Sequence, residues 1–302
     1  PTYSYEVLTS QVSGLLSKKV ELSPRIITFF CEKLNTLKGI SYPSNFLEVP
    51  LPCLGMLNSY MILKSFTLGA QGVALVPCEC RYSLESNFSS ELAFSRRILE
   101  NFGIEAERVR IFEPKESFSR ELEGFCHEIE NMKQPISHVT PEEREEEPEL
   151  SNLLKTMKGN YAFKKQKLFG EEVPFGLLSL DEKMCTLCDV CVRNCYSDAL
   201  EIVRGKDTLR LFFNHSRCNG CERCIDFCHE RALSMKKGLD LALLEEKKLL
   251  MEDKEERCKI CGSFLGSSNL LQKISERASE EKKEPEYIKL CYTCRIKASL
   301  IP

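Results

Sequence analysis

The sequence predicts three folded parts: an α/β domain with a small doubly wound parallel sheet, a cysteine-rich domain, and a small module of cysteine knuckles. Three observations support this division. Short apolar runs alternate with helical patterns over residues 26–132, a cysteine motif is duplicated between residues 185 and 228, and two C-x2-C pairs follow. A block of Glu and Pro at residues 141–149 indicates a solvated linker after the first part.

Length, composition and charge narrow the classes of function. A chain of 302 residues suggests two or three domains, and a hydrophobic fraction of 42% is enough to build a sizeable core. The formal charge is 42 − 45 = −3, which argues against a nucleic-acid binder that depends on a broad basic face. We therefore expect no nucleic-acid partner.

The elements of the α/β domain follow from its apolar pattern. Four apolar runs predict strands at Ile26–Phe30, Phe46–Val49, Gly72–Val76 and Val109–Phe112. Helices are predicted at Met56–Leu68 and Ser90–Phe102, each ending at a glycine that suits a C-terminal cap. A last helix carries four apolar residues on one face, namely Phe118, Leu122, Phe125 and Ile129. Strands that alternate with helices form a parallel sheet covered on both faces.

The 17 cysteines are unevenly placed: five lie in residues 1–180, eight between Cys185 and Cys228, and four between Cys258 and Cys294. The odd total, the chain length and a first 30 residues without a signal-peptide pattern disfavour a secreted disulfide scaffold. Metal-binding thiolates in a cytoplasmic protein are the better interpretation. No apolar run approaches the roughly 18 residues of a membrane-spanning helix, so we expect no direct membrane insertion.

The duplicated motif has the spacing C-x2-C-x2-C-x3-C, and its two copies are offset by 33 residues. Three cysteines at intervals of three suit three irons of one cubane, whereas the fourth is displaced and serves the other cluster. One 4Fe-4S cluster is therefore assigned to Cys185, Cys188, Cys191 and Cys228. The second is assigned to Cys218, Cys221, Cys224 and Cys195. Zinc sites pair two knuckles and do not use runs of four, which disfavours the zinc alternative.

Residues 175–240 resemble the bacterial-type two-cluster ferredoxins on the strength of this motif and its repeat. The resemblance implies an α+β unit of the order βαββαβ with pseudo-twofold symmetry, and clusters close enough to exchange single electrons. The family usually has Pro after each fourth cysteine, where this chain has Tyr196 and His229. The restored backbone N–H groups suggest the hypothesis of a hydrogen bond to a cluster sulfur that raises its potential; two tolerated replacements are the alternative.

The last four cysteines form two C-x2-C pairs, Cys258 with Cys261 and Cys291 with Cys294. Four thiolates in two short loops predict a structural zinc, with a rubredoxin-like iron or a third cluster as alternatives. Residues 245–302 contain 12 Lys and Arg against 11 Asp and Glu, a balance that does not support a nucleic-acid zinc ribbon.

Four earlier cysteines follow predicted strands. Cys31 comes directly after the first strand, Cys53 after the second, and Cys78 and Cys80 after the third. The carboxyl ends of parallel strands lie at one edge of a sheet, where ligands bind, so these thiols are expected to converge. No G-x-G-x-x-G follows the first strand, and a dinucleotide site is not predicted.

Residues 25–132 resemble the delta-subunit family of methyl-viologen-reducing hydrogenase. The resemblance is carried by IITFFC at 26–31, PCLG at 52–55, GVALVPCECRY at 72–82, SNF at 86–88 and NFGIEAERVRIFE at 101–113. It implies a 2Fe-2S cluster at the sheet edge, electron transfer as the role, and a multi-subunit complex that links hydrogenase or formate dehydrogenase to heterodisulfide reductase.

The chain departs from this family at its cysteines. Of the two or three cysteines that usually end the first strand, only Cys31 is present, and the later C-H-x-x-x-C-H segment is shortened to residues 78–81. Four thiolates still suffice for a 2Fe-2S site, whose alternative is a cluster-free docking domain with buried cysteines. Cys126 is interpreted as a packed core thiol, and His138 and His215 receive no role.

The predicted boundaries are an α/β delta-subunit-like domain at 1–135, an acidic then basic linker at 136–172, a two-cluster ferredoxin domain at 173–245 and a zinc-knuckle module at 246–302. The predicted function is a non-catalytic electron-transfer subunit of a cytoplasmic oxidoreductase complex, whose partners are subunits that contain flavin or clusters. The alternatives are a redox-sensing or assembly protein that docks through its zinc module, and a catalytic reductase with a flavin or cluster in the α/β domain.

Overall fold

A computed structural model describes residues 3–17, 22–34, 43–78, 87–132, 149–280 and 285–299. The chain forms two compact units, residues 1–166 and residues 167–302. The boundary between the units falls inside the segment predicted as a linker.

The first unit contains the predicted parallel sheet. Its strands are β1 (Ile26–Cys31), β2 (Phe46–Leu51), β3 (Gly72–Val76) and β4 (Val109–Ile111). All neighbours pair in parallel, and the strand order is β2-β1-β3-β4. The chain therefore runs outward in one direction from β1 to β2 and in the other direction from β3 to β4. The four predicted strands are confirmed, with ends that differ by at most two residues.

Among the described residues of this unit, five helices accompany the sheet: α1 (Tyr5–Ser17), α2 (Ser59–Thr67), α3 (Asn87–Asn101), α4 (Phe118–Asn131) and α5 (Leu150–Asn160). The side chain of Asn58 caps the start of α2, where it accepts a hydrogen bond from the Met61 backbone N–H at 3.2 Å. Gly69 (φ 100°) and Gly103 (φ 77°) follow α2 and α3 in the left-handed region, as the sequence predicts for C-terminal caps.

Helix α4 contributes the predicted apolar face to the core. All four of its stripe residues are buried, Phe118, Leu122, Phe125 and Ile129. They pack in one cluster with Ile26 of β1, Ala74 and Val76 of β3, and Phe112. Burial of one such side chain contributes about 1.5–3 kcal/mol, so this face fixes the position of α4 against the strands.

Two helices of the first unit lie outside the predicted elements. Helix α1 buries Leu8, Val12 and Leu16, and α5 buries Leu153, Leu154 and Met157. Helix α5 lies within the predicted linker, and the segment after it is tied to the end of α3. There the Asn101 side chain donates to the Lys165 carbonyl at 2.9 Å and accepts from the Lys165 N–H at 2.8 Å. The basic part of the predicted linker is thus packed into the first unit.

The second unit is built from antiparallel sheets. Its strands are β5 (Lys167–Phe169), β6 (Gly176–Leu180), β7 (Leu200–Arg204), β8 (Thr208–Phe213), β9 (Leu233–Asp240), β10 (Lys248–Arg257) and β11 (Phe264–Ser267). Its helices are α6 (Val190–Arg193), α7 (Arg223–Asp226), α8 (Ser268–Glu280) and α9 (Tyr292–Ser299). The strand orders are β5-β9-β6 and β11-β10-β8-β7. From β6 to β9 the element order is strand, helix, strand, strand, helix, strand.

Short 3-10 turns complete the described elements, at Leu54–Met56, Ala106–Arg108, His215–Arg217, Leu241–Leu244 and Pro285–Lys289.

Strand β10 joins two regions that the predicted boundaries separate. Its first part, Lys248–Lys254, pairs with β8, and its last part, Glu255–Arg257, pairs with β11. Residues on either side of the predicted boundary at 245 therefore share one sheet.

Candidate metal centres

The two cysteine motifs have the same backbone path. Helices α6 and α7 each follow the second cysteine of their motif at the same distance, with an offset of 33 residues. Left-handed residues recur at the same offset, at Leu187 and Gly220, Asp189 and Glu222, and Asp198 and Arg231. A left-handed conformation costs a non-glycine residue roughly 1–2 kcal/mol. Its presence at three matching positions indicates that both loops must turn in this way around their cysteines.

The first predicted ligand set lines a common cavity. Cys185, Cys188 and Cys191 of the first motif and Cys228 of the second face this cavity in the core of the second unit. Apolar side chains of the surrounding strands, including Leu211 and Leu233, complete its walls. Cys228 of the second motif thus lines the same cavity as three cysteines of the first motif.

Electrostatic contacts in the first set follow the same crossed pattern. Burial, together with the charges of Cys185, Cys188, Cys224 and Cys228, raises the pKa of Cys191 to about 12. The thiol of Cys191 therefore lies near its three predicted co-ligands and also near the neighbouring set. Thiols with raised pKa values release their protons when they bind metal, so iron binding here is coupled to proton loss.

The second predicted set shows the mirror pattern. Burial raises the pKa of Cys224 to about 12, with further contributions from Cys218, Cys195 and Cys221. Cys195 belongs to the first motif and the other three to the second. Such a group of mutually repelling thiolates fits an iron-sulfur cluster, whose irons supply the balancing positive charge.

Backbone N–H groups support the two crossing cysteines. Ala199 donates to the Cys195 sulfur at 3.2 Å, and Ala232 donates to the Cys228 sulfur at 3.3 Å. These donors are again 33 residues apart. They lie three residues beyond Tyr196 and His229, and the hypothesis of hydrogen bonds from those two residues stays a prediction.

The structure brings the four C-terminal cysteines together. The sulfur atoms of Cys258, Cys261, Cys291 and Cys294 all lie within 4.8 Å of one another, and those of Cys261 and Cys291 are 3.5 Å apart. Along the described ranges, no other group of three or more His, Cys, Asp or Glu side chains places its ligand atoms so close together. This geometry fits a single ion held by four thiolates.

The thiols of this group differ in their pKa values. Backbone hydrogen bonds from Cys291 and Cys261 lower the pKa of Cys258 to about 6, whereas burial raises the pKa of Cys294 to about 12. Cys258 therefore loses its proton more readily than Cys294, and metal binding would displace the protons that remain.

The backbone joins the two knuckles. In the first, the Cys258 N–H donates to the Ser263 carbonyl at 2.8 Å, and Gly262 takes the left-handed conformation (φ 72°) that closes the turn. The Lys259 N–H donates to the Lys289 carbonyl at 3.1 Å and connects this turn to the segment before Cys291. The site is therefore held by main-chain contacts as well as by its thiols.

The N-terminal cysteines lie at the expected edge of the parallel sheet. Cys31 ends β1 and is buried, and the N–H of Leu54 donates to its sulfur at 3.3 Å. Cys53 begins the next turn, where its sulfur accepts from the Gly55 N–H at 3.3 Å. Cys78 is buried two residues after β3. The fourth predicted ligand, Cys80, lies outside the described residues.

The remaining interpretations concern single residues. Cys126 is half-buried and packs beside the α4 stripe, a position at the rim of the core rather than within it. His138 lies outside the described residues. His215, which received no role, is buried: its Nδ1–H donates to the Gly176 carbonyl and its Nε2 accepts from the Asp240 N–H, both at 3.0 Å. No spacing rule identifies this histidine, because its partners are 39 and 25 residues away.

Comparisons with known proteins concern the first unit. Residues 26–139 match the family described as methyl-viologen-reducing hydrogenase, delta subunit. One curated relative is an iron-sulfur subunit of the F420-non-reducing hydrogenase of Archaeoglobus profundus, with 36% identity over 76 residues. The match covers 24% of this chain and 55%, about half, of that relative. In the part of the chain that the structure describes, no helix has the length and apolar character needed to cross a bilayer.

Proposed function

We propose that this chain is an electron-transfer subunit of a multi-subunit oxidoreductase complex in the cytoplasm. In this proposal Cys185, Cys188, Cys191 and Cys228 hold one 4Fe-4S cluster, and Cys218, Cys221, Cys224 and Cys195 hold a second. When bound, such clusters accept and release single electrons. The polypeptide carries no substrate chemistry of its own and serves to hold the clusters and to set their potentials.

The cavity shared by cysteines of both motifs is the observation that carries this proposal. A zinc site would draw its four thiols from two knuckles, whereas the crossed arrangement of three plus one is typical of two-cluster ferredoxins. The element order from β6 to β9 and the left-handed residues repeated at an offset of 33 support the same fold.

The exposure of one cysteine in each motif also supports a role in electron relay. The second cysteine of each motif, Cys188 and Cys221, is exposed, whereas the first, Cys185 and Cys218, is buried. Each cluster would therefore have one edge at the surface and another in the core. An electron from a partner subunit would enter at one surface edge and leave at the other.

The setting of the complex is proposed from the first unit. The match of residues 26–139 to a hydrogenase delta-subunit family favours partners of the hydrogenase, formate dehydrogenase or heterodisulfide-reductase type that contain flavin or clusters. Within this unit we propose a 2Fe-2S cluster held by Cys31, Cys53, Cys78 and Cys80. For the C-terminal group we propose zinc as a structural ion, since four thiolates fill its coordination sphere.

Anaerobic purification with metal analysis and electron paramagnetic resonance tests the proposal. We expect about eight iron atoms in two 4Fe-4S clusters, about two more in the 2Fe-2S cluster, and about one zinc. Fewer than about eight iron atoms after reconstitution would contradict the central claim. About eight would contradict only the N-terminal cluster.

A matched pair of variants isolates the N-terminal cluster. Cys53→Ser removes a proposed ligand and should lower the iron content by about two atoms per chain, with loss of the 2Fe-2S signal. Cys126→Ser removes a thiol that we propose holds no metal, and its iron content should equal that of the wild type. Equal iron content in both variants would exclude Cys53 as a ligand.

A further inference from the structure

The knuckle module lies against the loop that begins the first cysteine set. Strand β11 and helix α8 connect the two knuckles in sequence. Ser267, at their junction, is fully buried and donates from its hydroxyl to the Thr186 carbonyl at 2.7 Å. The same hydroxyl oxygen accepts the Leu270 N–H at 3.1 Å, so one side chain both starts α8 and fixes the residue after Cys185.

Helix α8 packs closely against β11. Gly266 has a φ of 148°, and a Cβ at this position would lie 2.7 Å from Cδ2 of Leu270. The side chain of Asn269 extends the contact by donating to the Cys185 carbonyl at 3.4 Å, while its own N–H donates to Asp253 of β10 at 2.8 Å. These contacts place the start of α8 against the loop of Cys185.

Lys273 of α8 joins the two chain segments that supply the first set. Its ammonium group donates to the Met184 carbonyl at 2.6 Å, directly before Cys185. It also pairs with the Glu230 carboxylate at 2.9 Å, two residues after Cys228. The side chains of Lys273 and Glu230 are 22% and 17% exposed, so the pair is screened by solvent less than a surface pair.

A second cation of α8, Arg277, lies 3.5 Å from the same Glu230 carboxylate, so two cations flank this anion. Burial raises the pKa of Cys185, and the charge of Lys273 acts in the opposite direction by favouring the thiolate. A cation that favours a thiolate also favours the more negative, reduced state of a cluster bound to it.

Among the described residues, the second set lacks this contact. At the offset of 33, Met184 corresponds to Arg217 and Glu230 to Ser197, and neither has a partner on α8 among the described contacts. The lysine near the second loop is Lys237 of β9, which belongs to the duplicated fold itself. Among the described contacts, α8 thus reaches the first set and not the second.

We propose that Lys273 is a positioning residue that the knuckle module holds against the first cysteine set, and that its charge raises the reduction potential of the cluster bound there. This inference rests on the proposed function. It gives the C-terminal metal site a role beyond stability, because an intact site keeps α8, and with it Lys273, in place.

A redox titration of the full chain by electron paramagnetic resonance tests the charge. In Lys273→Met one of the two 4Fe-4S midpoint potentials should fall, with at least a tenfold change in its reduction equilibrium, which is about 59 mV for one electron. The other potential should stay unchanged. Glu230→Gln should shift the same potential upward, since it removes the opposite charge. Lys273→Arg should restore the wild-type value.

The control is Arg210→Gln, which removes a cation from an exposed ion pair with Glu252 on the sheet of the same unit. Its two potentials should equal those of the wild type. Unchanged potentials in Lys273→Met, or shifts of the same sign in Lys273→Met and Glu230→Gln, would overturn the inference. Iron content is measured first: a wild-type chain with fewer than about eight iron atoms would contradict the proposed function, whereas about eight or more iron atoms with unmoved potentials in Lys273→Met would contradict this inference and leave the two 4Fe-4S clusters unaffected.

A second variant tests the role of the knuckles. Cys261→Ser removes one exposed ligand of the C-terminal group, and we expect loss of the zinc with all cluster iron retained. The potential that falls in Lys273→Met should fall here too. Loss of zinc with both potentials unchanged would overturn the coupling between the two sites.

Discussion

The two cysteine motifs have nearly the same backbone and different surroundings. The motif of residues 185–195 is covered by α8 and β11, whereas the loop of residues 218–228 follows the buried His215. At the offset of 33, His215 corresponds to the exposed Glu182. Ligand spacing thus determines the path of the chain around each cluster. Long-range contacts determine which side chains surround each cluster. The two motifs therefore share their ligand spacing and differ in their long-range contacts.

The largest effect is expected from breaking the exchange of ligands between the motifs. If the sets are crossed, Cys185→Ala with Cys228→Ala removes two ligands of one cluster and should leave one 4Fe-4S cluster, about four irons besides those of the proposed N-terminal 2Fe-2S cluster. Cys185→Ala with Cys195→Ala removes one ligand from each 4Fe-4S cluster and should leave neither of them. Both variants lose two cysteines, so each is the control for the other. Iron and sulfide analysis after anaerobic reconstitution measures the difference, and the reverse order would show that each motif holds its own cluster.

A smaller effect is expected from substitution of His215, the buried histidine that precedes the second motif. His215→Leu removes both hydrogen bonds of this buried side chain, to the Gly176 carbonyl and from the Asp240 N–H, and the free energy of unfolding should fall by about 2–4 kcal/mol. Denaturant unfolding of the reconstituted protein measures this loss. His127→Leu, at a side chain that is 77% exposed, should change stability by less than about 0.5 kcal/mol. An equal effect of both substitutions would rule out a special role for His215.

The smallest effect should come from the feature that the motifs share. Glu222 is exposed and left-handed (φ 61°), so Glu222→Gly should relieve backbone strain and raise the free energy of unfolding by about 0.5–1 kcal/mol, measured by the same denaturant unfolding. Asp189→Gly, at the matching position, should gain less because it also removes the ion pair with Arg193. Destabilisation by Glu222→Gly would mean that this side chain does more than occupy a turn.

The parts of the structure that the sequence predicts well are those with local causes. The four parallel strands and the glycine caps at Gly69 and Gly103 follow from runs of a few residues. The repeat follows from cysteine spacing alone. Helices α1 and α5 are not predicted, although the buried residues Leu8, Val12 and Leu16 of α1 lie at i, i+4 and i+8, a helical spacing that could have signalled it.

The contacts that distinguish the two cysteine sets cannot be predicted from the sequence, because they join residues that are far apart along the chain. Lys273 meets Met184 across 89 residues, and Ser267 meets Thr186 across 81. Neither residue type signals such a contact, since a lysine on a polar helix and a serine before it are common on any surface. The four-cysteine group at the C-terminus shows the opposite case, in which residue type and spacing identify the partners in advance.

Strand β10 limits where this protein can be shortened. Because its first part is hydrogen-bonded to β8 and its last part to β11, a deletion after residue 245 would strip a neighbour from β8 and leave a row of unpaired amide and carbonyl groups at a sheet edge. Such an edge invites pairing with other chains. The C-terminal segment therefore cannot be removed without exposing this edge. A shortened form of this protein would tend to aggregate unless another strand took its place.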